Sequence, residues 1–204
     1  MIYNSLCIII AGGKGSRLDG KGKLNQTFKN NKTLLEQVYN KVKNQFTYVA
    51  VNVNSKKSST KLKLEIVYDR FSDNIGPLAG IHAALCLGNE KLGENGYVCV
   101  VPVDTPFLPK DLGKRFYNNI FKNNSEVVFA RSGNRVHPTV GLWKNNIKTK
   151  LEYSINKGIR KIDKFTASLK VSYEEWTINK IDPFYNINNH EDLNKAKKMT
   201  TFFK

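Results

Sequence analysis

A short run of apolar, mostly β-branched side chains, Leu6-Cys-Ile-Ile-Ile10, stops at the stretch Ala11-Gly-Gly-Lys-Gly-Ser-Arg-Leu-Asp-Gly-Lys-Gly-Lys23. Unbroken apolarity over so few residues marks a strand covered on both faces, which requires a sheet with helices above and below. A sheet with one wet face would instead alternate apolar and polar residues. The glycine-rich stretch cannot prolong the strand, so the chain must turn there. A buried strand that runs into such a turn confines the chain to the α/β class.

The remainder repeats the alternation. Thr33 offers a helix N-cap with Glu36 three residues on, a capping box, and Leu34, Leu35, Val38 and Val42 follow at helical spacing. Strands are predicted at Tyr48–Asn52, Leu64–Tyr68 and Tyr97–Val103, then at Glu126–Arg131, Val136–Trp143 and Leu169–Tyr173. Helices are predicted after Gly76-Pro-Leu-Ala-Gly80, over Lys110–Asn123, around Ile147–Asn156 and near Glu191–Lys198. No internal repeat, low-complexity linker or break in composition divides the 204 residues. The expectation is one domain, residues 1–204, with a Rossmann-like three-layer αβα architecture on a mostly parallel central sheet.

Composition narrows the partners. Hydrophobic residues make up 40% and charged residues 25%, enough apolar content to build a core and too much for a disordered chain. The net charge of +16 favours anionic partners such as nucleic acid, phospholipid or phosphorylated small molecules. Only six of the 33 basic residues are Arg, the usual residue for base and bidentate phosphate readout, and 24 Asn accompany the lysines. Much of the surplus therefore reads as compositional drift on a solvated surface. Runs such as Leu6–Ala11 and Val98–Val103 are too short to span a bilayer or form a signal core, and Met1–Asn4 carries no basic residue. A cytoplasmic protein without a membrane partner is expected. Cys7, Cys86 and Cys99 lie among apolar neighbours without C-x-x-C spacing, as buried thiols do.

Two places carry chemistry. The loop after the first strand is suited to phosphate, because glycines let backbone N–H groups approach an anion while Lys14, Arg17, Lys21 and Lys23 add charge. It is not a dinucleotide fingerprint, since Gly13-Lys-Gly15 is followed by Leu18 where a third glycine belongs. Nor is it a Walker A loop, because Gly22 stands where the magnesium-binding hydroxyl would be. The second place is Val101-Pro-Val-Asp104-Thr-Pro-Phe107, an acid at the end of an apolar strand, placed to hold a hard cation. Asp69 and Asn52 end two further strands. In a parallel sheet these ends gather on one rim with the basic loop, a nucleotide-and-metal arrangement.

The whole pattern resembles the molybdenum cofactor guanylyltransferase family. That family opens with a strand and L-A-G-G-x-x-x-R-M-G-G-x-D-K, here Ile10-Ala-Gly-Gly-Lys-Gly-Ser-Arg17-Leu-Asp-Gly-Lys-Gly-Lys23. Its V-N-A-N matches Val51-Asn52-Val-Asn54, and its E-D before G-P-L-A-G matches Tyr68-Asp69 and Gly76–Gly80. Its C-D-T-P-x-x-P matches Val103–Pro109, its H-P-T matches His137-Pro-Thr139, and its N-x-N-x-x-E-D-L matches Asn186–Leu193. The blocks fall in the family's order along nearly the whole chain. Asp19 and Gly22 depart from it, replacing a Gly and an Asp of the loop.

The resemblance implies a nucleotidyltransferase that joins GMP from GTP to molybdopterin, or to its molybdenum-loaded form, with Mg2+ as cofactor. It places GTP on the first part of the chain, to about residue 110, and the acceptor on residues 111–204. It implies that Ile10, Ala11, Gly12 and Gly13 line the nucleotide, that Lys23 and Arg17 meet phosphate, and that Asn52 and Asp69 recognise base or ribose. Asp104 would bind the metal; Gly80, His137, Asn186 and Asn188 would serve the acceptor. Transient contact with other proteins of molybdenum cofactor biosynthesis is implied as well, and nucleic acid is not. An acceptor phosphate is already an anion, so no Ser, Cys or His nucleophile is required, only neutralisation of repelling phosphates. His82, His137 and His190 accordingly read as packing or hydrogen-bonding residues.

Three other readings stay open on the residues alone. One is a related cytidylyl- or sugar-phosphate nucleotidyltransferase, although such relatives tend to show L-A-A-G where Gly12-Gly13 stands. The second is a basic nucleic-acid binding protein, which the charge allows but no recognition motif supports. The third is a chain that keeps the fold without the activity, given Asp19 and Gly22.

Overall fold

The structure, a computed structural model, describes residues 2–11, 23–54, 60–71 and 75–200. Seven strands form the central sheet: β1 (Ile2–Ile10), β4 (Phe46–Val53), β5 (Glu65–Tyr68), β6 (Tyr97–Pro102), β7 (Val127–Ser132), β8 (Arg135–Lys144) and β9 (Val171–Trp176). Their spatial order is β5-β4-β1-β6-β8-β7-β9. β5, β4, β1 and β6 run parallel to one another, and β7 runs parallel to β9. β8 alone is reversed, antiparallel to both β6 and β7. The expected mostly parallel sheet is present.

Helices cover both faces. α1 (Leu34–Val42), α3 (Leu112–Asn123) and α6 (His190–Met199) pack on one; α2 (Pro77–Leu92), α4 (Lys148–Asn156) and α5 (Ile162–Thr166) pack on the other. β1 shows why its run is apolar throughout. Leu6 and Ile8 belong to the core under α2, while Cys7 and Ile9 belong to the core under α1 and α3. The three cysteines are free and buried.

Local signals set several boundaries. Thr33 Oγ1 accepts the N–H of Glu36 at 3.2 Å and Glu36 Oε2 accepts the N–H of Thr33 at 2.6 Å, closing the capping box of α1. Pro77 starts α2 without leaving an amide unpaired, and Gly76 before it adopts φ +71°, a conformation suited to glycine. Arg115 pins α3 to β9: it pairs with Glu174 at 2.7 Å and lies 4.5 Å over the Trp176 ring.

Two elements were not foreseen. The small ribbon of β2 (Thr27–Lys29) and β3 (Lys32–Thr33) turns on Asn30 and Asn31, both with positive φ, as a two-residue hairpin requires. The other is α5, too short to show helical periodicity in sequence.

Candidate functional site

The parallel strands bring the ends of β1, β4, β5, β6, β7 and β9 to one rim, where the reversed β8 begins. β1 pairs with β4 on one side and β6 on the other, so the direction of winding switches between β1 and β6. Ligands of open α/β sheets bind at such a switch, beyond the carboxyl ends of the strands. Ile10 and Ala11 leave β1 at that point; the N–H of Ala11 donates to Asn52 O at 2.8 Å and the N–H of Val103 donates to Ile10 O at 3.0 Å.

One half of the rim is organised by Asn52. Its side chain is fully buried, and its Nδ2 donates to Asp69 Oδ1 at 2.8 Å and to Val67 O at 3.2 Å. The half-buried Asp69 carboxylate is thereby held in one orientation at the end of β5. Asn52 Oδ1 has no hydrogen-bond partner among the described residues. Gly80, in the first turn of α2, packs against the same group: a Cβ there would lie 2.6 Å from Asn52 Oδ1 and 3.1 Å from two side-chain atoms of Ile10. The glycine lets α2 approach the ends of β1 and β4. Ile10, Ala11, Asn52, Asp69 and Gly80 therefore form one cluster, which places Gly80 with the residues expected at the nucleotide. Gly12, Gly13 and Arg17 lie outside the described residues, as does the Lys23 side chain; the backbone of Lys23 opens a single 3-10 turn, Lys23–Asn25.

The other half centres on Asp104, buried just past β6. Its carbonyl accepts the N–H of Ile187 at 2.9 Å, which brings the Asn186–Asn188 segment against it. Asn186 Oδ1 is buried without a hydrogen-bond partner among the described residues, and Asn188 is exposed. Two stretches far apart in the sequence are thus brought together. A cavity of about 420 Å³ is lined by residues that follow Asp104 in the chain, Phe107 and Pro109, and by residues that precede Asn186, among them Trp176, Lys180, Ile181 and Pro183.

His137 sits at the start of β8 and turns inward. Its Nε2 is 2.8 Å from Ser132 Oγ, and its ring packs 4.9 Å from that of Phe184. Burial lowers its pKa, opposed by the nearby Asp182 carboxylate and reinforced by Arg135. Sequence reasoning missed Ser132 and Asp182, whose side chains bond each other at 2.8 Å. The one available signal was Asp182 itself, which accepts the N–H of Phe184 two residues on, a turn pattern that Asp favours.

The MobA-like NTP transferase domain matches residues 7–171. A molybdenum cofactor guanylyltransferase of Nitrobacter hamburgensis is 32% identical over 194 residues, covering 94% of this chain and 92% of its own. One from Vibrio atlanticus is 32% identical over 186 residues, covering 91% and 92%. The chain belongs to the MobA-like NTP transferase family. The fold agrees: molybdopterin-guanine dinucleotide biosynthesis protein A of Archaeoglobus fulgidus superposes with a TM-score of 0.77 at 24% identity, covering 97% of this chain and 99% of its own. The Francisella tularensis 2-C-methyl-D-erythritol 4-phosphate cytidylyltransferase gives 0.70 at 14%, covering 97% and 100%. As a MobA-like protein the chain is a nucleotidyltransferase.

A MobA-like site built this way is suited to a divalent cation that arrives with substrate. Among the described residues no group of three or more His, Cys, Asp or Glu forms a metal cage. Magnesium needs none, since it keeps several waters and is held by one or two carboxylates together with substrate phosphates. Asp104, a carboxylate on the rim, and Asn186 Oδ1, an orphaned oxygen on the adjoining segment, are hard oxygen donors of the right kind. Among the described residues, no helix is long and apolar enough to cross a membrane.

Proposed function

We propose that this chain transfers GMP from GTP to molybdopterin, forming molybdopterin guanine dinucleotide and releasing pyrophosphate in a Mg2+-dependent reaction. GTP lies over the half of the rim made by Ile10, Ala11, Asn52, Asp69 and Gly80, with Gly12 and Gly13 lining the nucleotide and Arg17 and Lys23 of the following loop on its phosphates. Asp69 takes hydrogen bonds from the nucleoside, held for that purpose by Asn52. Molybdopterin lies over the Asp104–Asn188 half, where Asn186 and Asn188 present amides and the cavity lined by Phe107 and Trp176 offers apolar walls with a lysine at the edge.

An oxygen of the acceptor's terminal phosphate forms a bond to the α-phosphorus of GTP. The bond from that phosphorus to the bridging oxygen breaks, and pyrophosphate leaves with the electron pair. Asp104 holds the magnesium, which when bound neutralises phosphate charge and stabilises the leaving group. Arg17 and Lys23 share that task from the loop, and backbone N–H groups there add further donors. No protein nucleophile or strong general base takes part.

The single observation that carries this reading is the hydrogen bond from Ile187 N to Asp104 O, which sets the proposed acceptor segment beside the proposed metal ligand. The test is incubation with each nucleoside triphosphate, Mg2+ and molybdopterin while pyrophosphate release is followed. Release with GTP alone is the expected result. Equal or faster release with CTP would assign the chain to the cytidylyl branch, and no release with any triphosphate would end the proposal.

A further inference from the structure

Ser132 closes β7 at 1% exposure, and its hydroxyl lies at the centre of a polar array. It donates to Asp182 Oδ1 at 2.8 Å, and His137 Nε2 lies 2.8 Å from Ser132 Oγ itself. A hydroxyl has one proton to give. With that proton on the carboxylate, His137 must donate from Nε2. This order is the reverse of a hydrolytic triad, in which the acid orients the histidine and the histidine takes the serine's proton. The array activates nothing; it fastens one segment to another.

The fastened segment begins at Asp182. The same Oδ1 accepts the N–H of Phe184 at 2.9 Å, and the Phe184 ring packs on His137 at 4.9 Å and on Trp176 at 5.2 Å. Three residues later, Ile187 N donates to Asp104 O. The irregular chain between β9 and α6 is therefore clamped twice, at Ser132 and at Asp104, with Asn186 between the two clamps.

We propose that Ser132 is a positioning residue for the acceptor: by joining His137 to Asp182 it holds the 182–188 segment so that Asn186 and Asn188 present their amides to the acceptor beside Asp104. The role in acceptor binding rests on the function proposed above.

Ser132→Ala removes the hydroxyl and strands the buried His137 and the half-buried Asp182; Asp182→Ala opens the clamp from the other side. Asp182→Asn keeps an oxygen that accepts from both Ser132 and Phe184. With both alanine variants, the acceptor KM should rise about tenfold or more while GTP affinity stays within about twofold, in line with a lost buried hydrogen bond. Amide hydrogen exchange at Phe184 and Ile187 should accelerate by a similar factor, with the protection of β1 and β6 unchanged. Asp182→Asn should restore both readouts toward those of the unsubstituted chain. Unchanged exchange and unchanged acceptor KM in the alanine variants would overturn the proposal, as would a loss of GTP affinity equal to the loss for acceptor. Should the unsubstituted chain transfer nothing to molybdopterin, the proposed function fails by itself, and exchange at Phe184 and Ile187 still decides whether Ser132 holds the segment.

Discussion

The amide of Ile187 donates to the carbonyl of Asp104 at 2.9 Å, so the irregular segment between β9 and α6 is anchored on the proposed metal ligand. The bond uses Asp104's main chain and not its carboxylate. Asp104→Asn keeps side-chain shape and this anchor while removing one negative charge. Asp104 is buried, so the stability of the variant is measured beside its turnover. Turnover should fall by about two orders of magnitude or more, the usual size of a lost electrostatic contribution to the transition state. Pyrophosphate release titrated with Mg2+, together with a thermal melt, reads both. Near-normal turnover would remove Asp104 from the metal.

Gly80→Ala separates fold from site. An added Cβ stands 2.6 Å from Asn52 Oδ1, and Asn52 cannot simply swing aside because its Nδ2 is bonded to Val67 O and Asp69 Oδ1. Helix propensity favours Ala by about 1 kcal/mol and overpacking costs about 1–3 kcal/mol, which leaves a net loss of at most about 2 kcal/mol. The strain passes to Asn52 and through it to Asp69. GTP affinity measured by calorimetry should fall about tenfold or more, the scale of a lost hydrogen bond to a charged group. Unchanged affinity would show that the Asn52–Asp69 pair does not touch the nucleotide.

Lys23→Ala tests the loop from its far end. Loss of a charge-assisted contact to phosphate costs about 1.5–3 kcal/mol and should weaken GTP binding and transfer together. The gap between the variant and the unsubstituted protein should narrow as salt rises, because part of the contribution is screened. Identical kinetics at low salt would place the Lys23 ammonium away from the triphosphate.

How much of this could be read from the sequence depended on how local the cause was. The two-faced burial of β1 and the Thr33–Glu36 box are local, and both are present where the residues signalled them. The Asn30-Asn31 turn was legible in principle, but the strands it joins are too short to show a period. The candidate site came from the order of motifs, which named Asn52, Asp69, Asp104, Asn186 and Asn188 without saying which side chains would meet. Asn52 proves to bond Asp69, and Asp104 proves to bond the neighbour of Asn186. Asp182 offered only a turn signal, and its pairing with Ser132 left no trace because the two meet only when β7 and the chain after β9 come together in space, which no sequence spacing encodes.

Buried histidines should make stability fall in mildly acidic solution. His82 is 2% exposed, with the Phe71 ring 4.8 Å away and Cys86 Sγ 3.8 Å from its ring nitrogens. Burial lowers its pKa below the ordinary 6.5, partly offset by the Glu152 carboxylate 3.7 Å away, and His137 is lowered in the same sense. Between 6.5 and these lowered values the unfolded chain binds more protons than the folded one, so stability rises with pH there. The stability present above about 6.5 is lost as pH falls through the folded values, with each group contributing at most about 1.4 kcal/mol per pH unit. Urea midpoints at pH 8, 6.5 and 5.5 should be level over the first interval and drop over the second. His82→Leu, which replaces the ring by an apolar side chain, should reduce that drop and leave the contribution of His137. A midpoint that stays level down to pH 5.5 would mean that neither histidine resists protonation in the fold.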